Sequence, residues 1–88
     1  MVKTYLEITY RAGKPFAAYL SINRRAGDKS DRTERHGDWL IDFNADGRAI
    51  GIEFTRLGSV DVESLNRVLT ENHQPTVSTD DLIPLAAA

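Results

Sequence analysis

Side chains able to bind or catalyse are concentrated in one stretch of the chain. Arg24, Arg25, Lys29, Arg32 and Arg35 form a basic segment, with Tyr19 before it and Trp39 after it. A guanidinium fork grips a carboxylate or a phosphate through two parallel hydrogen bonds. An aromatic ring beside it can carry a stacked base. Asp28, Asp31 and Glu34 are interleaved, so residues 24–37 hold a net charge of only +2. Two partners suit such a segment: an acidic protein surface and a nucleic acid. Arg24, Arg25, Arg32 and Arg35, with Tyr19 and Tyr5, are the candidate partner-binding residues.

Other chemistry finds less support. Asp42 and Glu53 could form a carboxylate pair on one strand face, but a solvated face explains them more simply. A metal centre needs three or four converging ligands. The two histidines, His36 and His73, fall in a charged loop and beyond the helix. Asp42, Asn44 and Asp46 have the spacing of an oxygen-ligand loop, yet Glu53 lies inside a strand and strands flank the segment on both sides. The chain has no cysteine and no Gly-x-Ser-x-Gly elbow, and its six glycines are scattered singly. No cofactor or metal is expected, and a small hydrolytic or metal-dependent enzyme ranks third, behind protein and nucleic-acid binding.

The elements that must position these residues are bounded by size. At 88 residues, 41% apolar and 27% charged, the chain fits one folded domain and not a disordered segment. A domain this small has a thin stability margin, and without cysteines its remaining route to extra buried area is oligomerisation, so a homodimer is expected. Residues 1–37 carry eight basic and four acidic side chains, whereas residues 38–88 carry three and nine. That asymmetry can steer partners or two copies toward each other. Neither a signal-peptide core nor an apolar run of membrane-spanning length is visible, which makes the cytoplasm the expected compartment and a membrane partner unexpected.

Alternation with period two marks four strands. Lys3–Tyr10 directs Leu6, Ile8 and Tyr10 to one face and Tyr5, Glu7 and Thr9 to the other. Pro15–Asn23 follows a turn at Gly13 and directs Phe16, Ala18, Leu20 and Ile22 inward. Asp38–Asn44 and Gly47–Thr55 form a hairpin. With Ala45-Asp46 as its turn, Ile41 faces Ile50 and Trp39 faces Ile52. Gly51 in mid-strand predicts a close approach by a bulky ring, with Trp39 or Leu40 the nearest candidates. A helix begins at Asp61, a good N-cap, and its stripe of Val62, Leu65, Val68 and Leu69 docks on the sheet. Glu63 and Arg67 are spaced for an i,i+4 ion pair, and Asn72, His73 and Pro75 end the helix.

The fold class read from this pattern is α+β, a four-stranded antiparallel sheet packed against one C-terminal helix. Residues 1–75 make the single domain, with a charged, mobile loop at 24–37. Residues 76–88 are a flexible or loosely docked tail.

Within the hairpin, Ile41-Asp42-Phe43-Asn44-Ala45-Asp46-Gly47-Arg48-Ala49-Ile50-Gly51-Ile52-Glu53-Phe54 resembles the signature of a bacterial and phage family of small proteins, the domain of unknown function 2283. The likeness extends more weakly over residues 3–72. Family members usually open with Tyr-Asp-x-x-x-Asp-x-Leu-Tyr, where this chain runs from Tyr10 through Gly13 and Pro15 to Tyr19. The resemblance implies a sheet plus helix and no enzymatic activity. Some relatives are encoded beside small toxin-like proteins, which implies an antitoxin-like, partner-binding role. Asp46, Gly47, Gly51, Ile52 and Glu53 match the motif, and the family assigns them no role.

Overall fold

The computed structural model describes residues 3–82. Five antiparallel strands lie in the order β1-β2-β5-β4-β3. They are β1 (Lys3–Arg11), β2 (Lys14–Arg24), β3 (Arg32–His36), β4 (Trp39–Phe43) and β5 (Ala49–Phe54), followed by helix α1 (Val62–Glu71). One face of the sheet carries the core. Ala18, Leu20, Ile22, Trp39, Ile41, Phe43, Ile52 and Phe54 meet Leu65, Val68 and Leu69 of the helix there. Trp39 stands edge-on to Phe54, with ring centroids 5.4 Å apart.

The helix starts and stops as its sequence dictates. The Asp61 side chain accepts a hydrogen bond from the Ser64 amide at 2.8 Å, and Val60 packs against the core as a staple does. His73, at φ +59°, turns the chain out of the helix. Glu63 and Arg67 form no ion pair with each other; Arg67 instead lines a cleft of about 340 Å³ with His36, Asp38 and Trp39.

Three expectations need correction. The sheet has five strands and not four, because the segment expected as a loop over 24–37 contains β3. All five β3 side chains are exposed, so there is no apolar alternation to read; backbone pairing from Arg32↔Phe43 to His36↔Trp39 alone makes the strand. What remains, residues 25–31, crosses the ends of β5 and β4 to reach the far edge and is tied down rather than mobile. The Asp31 amide donates to the Phe43 carbonyl at 2.8 Å. Arg48 grips both Asp28 carboxylate oxygens at 2.6 Å, and Asn44 donates to Asp28 at 3.3 Å.

The second correction is the β4–β5 register, which differs by two residues from the expected pairing: Ile41 lies opposite Ile52 and Trp39 opposite Phe54. The connection is a three-residue loop closed by the Asn44 amide on the Arg48 carbonyl, with Gly47 at φ +84°. Ile50 is then the extra residue of a bulge between Phe43↔Ala49 and Asp42↔Gly51. The shift of two keeps the faces of Gly51–Phe54, but past the bulge it is one, so Ala49, which strict alternation puts on the outer face, lies opposite Phe43 in the core.

The third concerns Tyr10 and Phe16, expected inward. They are 62% and 50% exposed because the β1–β2 hairpin outruns the rest of the sheet, and Phe16 is also the extra residue of a bulge between Thr9↔Ala17 and Tyr10↔Pro15. β2 pairs with β5 only from Ala18 to Ser21, while β1 and β2 stay paired out to Arg11↔Lys14.

Of the tail over 76–88, residues 76–82 fold back on the domain. Asn66 accepts from the Val77 amide at 2.8 Å and donates to its carbonyl at 2.9 Å, and Leu82 is buried in the core. Residues 83–88, with the apolar end Ile83-Pro84-Leu85, lie outside the described residues, as do Met1 and Val2.

The Asp28 tie sets a pH dependence. The Arg25 amide, then the Arg48 guanidinium, hold the Asp28 carboxyl down at about 2. A depressed carboxyl contributes stability that is complete above the unfolded value, about 4, and lost as pH falls through the folded one. Asp28→Asn should therefore flatten the acid limb of the stability curve between about pH 4 and about pH 2. Urea unfolding across that range checks this; an unchanged limb would show that the tie contributes nothing.

Candidate protein-interaction surface

Among the described residues no helix covers the second face of the sheet, and the observed registers place two rows of side chains across it. One row runs Arg35, Leu40, Glu53, Tyr19 and Glu7 from β3 to β1; the other runs Thr33, Asp42, Gly51, Ser21 and Tyr5. Tyr5 and Tyr19, both read as candidate binding residues, thus share this face.

At its centre the polar groups are organised by a missing side chain. The Tyr19 ring lies over Gly51, where a Cβ would collide with its hydroxyl end and come within 2.6 Å of Cε2. The expected ring approach to Gly51 is real, but Tyr19 makes it, not Trp39 or Leu40. So placed, the Tyr19 hydroxyl donates to Asp42 Oδ2 at 2.8 Å, and Thr33 donates to Asp42 Oδ1 at 2.6 Å. Burial of the phenol, then its hydrogen bond to Asp42 and the charge of that carboxylate, push its ionisation well above the ordinary range, with Arg24 opposing weakly. Asp42 is therefore engaged as a double acceptor, and the carboxylate pair considered with Glu53 resolves into one bonded and one exposed group.

The arginines do not form one patch. Strand alternation sends Arg32 and Arg35 to opposite faces. Arg32 lies over the Phe43 ring, 4.3 Å from its centroid, and pairs with Glu34 at 2.8 Å. Arg35 donates to the Gly37 carbonyl at 3.2 Å. Arg24 is half-buried at the end of β2, and Arg25 is exposed at the start of the crossing loop. Trp39 is in the core and offers no stacking platform.

Parity reading from the sequence missed the hairpin tip, where Tyr10 and Phe16 stand exposed and the Arg11 guanidinium sits 4.0 Å from the Phe16 ring centroid. Among the described residues no three His, Cys, Asp or Glu side chains converge to hold a metal ion. No helix there is long and apolar enough to cross a membrane. No family model matches the chain, and comparisons with curated proteins and with solved structures return no match.

Proposed function

We propose that this protein is a small, non-enzymatic protein-interaction module of the cytoplasm, antitoxin-like in acting by covering a partner's surface, and self-associating as a homodimer. The likeness of its Ile41–Phe54 hairpin to the domain of unknown function 2283 belongs to the same proposal. The observation that carries it is the β1–β2 hairpin, which holds Tyr10 and Phe16 out beyond the body of the sheet. Exposed aromatics contribute nothing to a core, and their rings are the side chains that anchor protein interfaces. Nucleic acid fits less well, because the open sheet face is no basic patch: Arg11, Arg24 and Arg35 are set against the carboxylates of Glu7, Asp42 and Glu53.

Replacing Tyr10 and Phe16 together by Ser should leave the unfolding free energy within about 1 kcal/mol, since neither side chain is buried. The same change should weaken binding to a partner identified by cross-linking in the native cell and then purified, by about a hundredfold. Equal binding by variant and wild type would contradict the reading. So would salt-dependent retention of the wild type on DNA or RNA, with the slope that released counterions impose.

A further inference from the structure

The sheet has two edges, and they are built differently. β3 is five residues long with every side chain exposed, and Arg32, Glu34 and Arg35 break its outer margin with charge. Short, charged edges resist pairing. β1 is nine residues long, alternates regularly and contains no proline. Among the described residues its outer backbone groups meet no other strand. Among the described residues, neither the Glu7 carboxylate nor the Arg11 guanidinium has an ionic partner.

We propose that the β1 edge binds β1 of a second copy of this chain, antiparallel and two-fold symmetric about Thr9, so that Glu7 of each copy faces Arg11 of the other. This deepens the reading of the chain as an association module and rests on it.

Symmetry and charge select the register. A two-fold axis normal to the sheet keeps both open faces on the same side, so only residues of like face stand opposite one another. An axis through Glu7 sets that carboxylate against its own copy, a repulsive pair. An axis through Ile8 sets Glu7 against Thr9 and leaves both charges unmatched. An axis through Thr9 matches Glu7 with Arg11 twice. On the helix-side face the same register lays Ile8 of each copy against Tyr10 of the other, covering a ring that is 62% exposed in the single chain. Axes nearer the start of β1 leave Tyr10 and Arg11 outside the contact. The paired sheets then form one continuous sheet with β3 at both ends.

The test is sedimentation equilibrium on the full chain. Wild type should be dimeric in the high micromolar range. Glu7→Arg and Arg11→Glu should each weaken self-association about tenfold, since each reversal turns two attractive pairs repulsive. The double variant should return to within about threefold of wild type. A second readout does not depend on charge. The chain has no cysteine, and directly opposed antiparallel residues lie within the Cα spacing of a disulfide. Thr9→Cys should therefore cross-link to a covalent dimer under mild oxidation, and Thr33→Cys on the opposite edge should not. A wild-type monomer would overturn this interface while leaving binding to a different protein to be judged by the Tyr10 and Phe16 experiment. A dimer that ignores both single reversals, or is not restored by the double one, would overturn the edge and the register.

Discussion

Ile52→Ala should lower the unfolding free energy by about 2–4 kcal/mol, through the lost transfer of the side chain and the cavity left behind. Ile52 is fully buried and sits on the central strand, opposite Leu20 on one side and Ile41 on the other. Neighbours fixed by two ladders have little freedom to collapse into the space. Small domains keep only about 5–15 kcal/mol in total, so this one change would remove a large share. Urea unfolding monitored by Trp39 fluorescence reads it directly, and the slope should not change. A loss below about 0.5 kcal/mol would show that the helix-side face of β5 is not the core.

Releasing Tyr19 should have the largest effect on an ionisation. With Tyr5 and Tyr10 changed to Phe, Tyr19 is the sole phenol, since the chain has three tyrosines. Its absorbance titration should lie well above the ordinary value of about 10. Gly51→Ala places a methyl where the end of the ring now rests. Swinging the ring off the sheet breaks its bond to Asp42 and restores water to the hydroxyl, so the titration should fall toward the ordinary value. A raised folded pKa contributes stability that is complete below the unfolded value, about pH 10, and lost as pH rises through the folded one. Gly51→Ala should accordingly flatten the alkaline limb. An unchanged titration in that variant would show that Gly51 does not create the phenol's site.

Much of the architecture was legible in side-chain parity. Leu6, Leu20, Ile41 and Ile52 alternate with polar residues, and that period alone assigns faces to four strands and the core to one side. Asp61 and Asn72 bound the helix by capping chemistry that needs no tertiary context. β3 was illegible for the complementary reason. Arg32 to His36 bury nothing, and their strand exists because β4 offers its backbone across the turn at Gly37 and Asp38. Register was illegible because an even shift leaves the faces of Gly51–Phe54 unchanged; the three-residue loop and the bulge at Ile50 decide it, and they turn Ala49 inward.

The binding surface divides along the same line. Tyr5 and Tyr19 share a face by parity, which the sequence displays. The dispersal of Arg32 and Arg35 follows from β3 being a strand, so it was hidden with the strand itself. Tyr10 and Phe16 have inward parity in the sequence, and only the lengths of the neighbouring strands and the bulge at Phe16 reveal that no core lies beneath them. Asp28 and Arg48 stand twenty residues apart and meet only because the crossing loop passes the β4–β5 turn. No local pattern signals such a pair.

The most direct measurement of the association claim is amide hydrogen exchange at residue resolution, recorded at low and at high protein concentration. The account predicts that alternate amides between Glu7 and Arg11, those directed away from β2, exchange more slowly as concentration rises, while the amides of Arg32–His36 do not change. Exchange at β1 that is independent of concentration, or new protection at β3 instead, would contradict it.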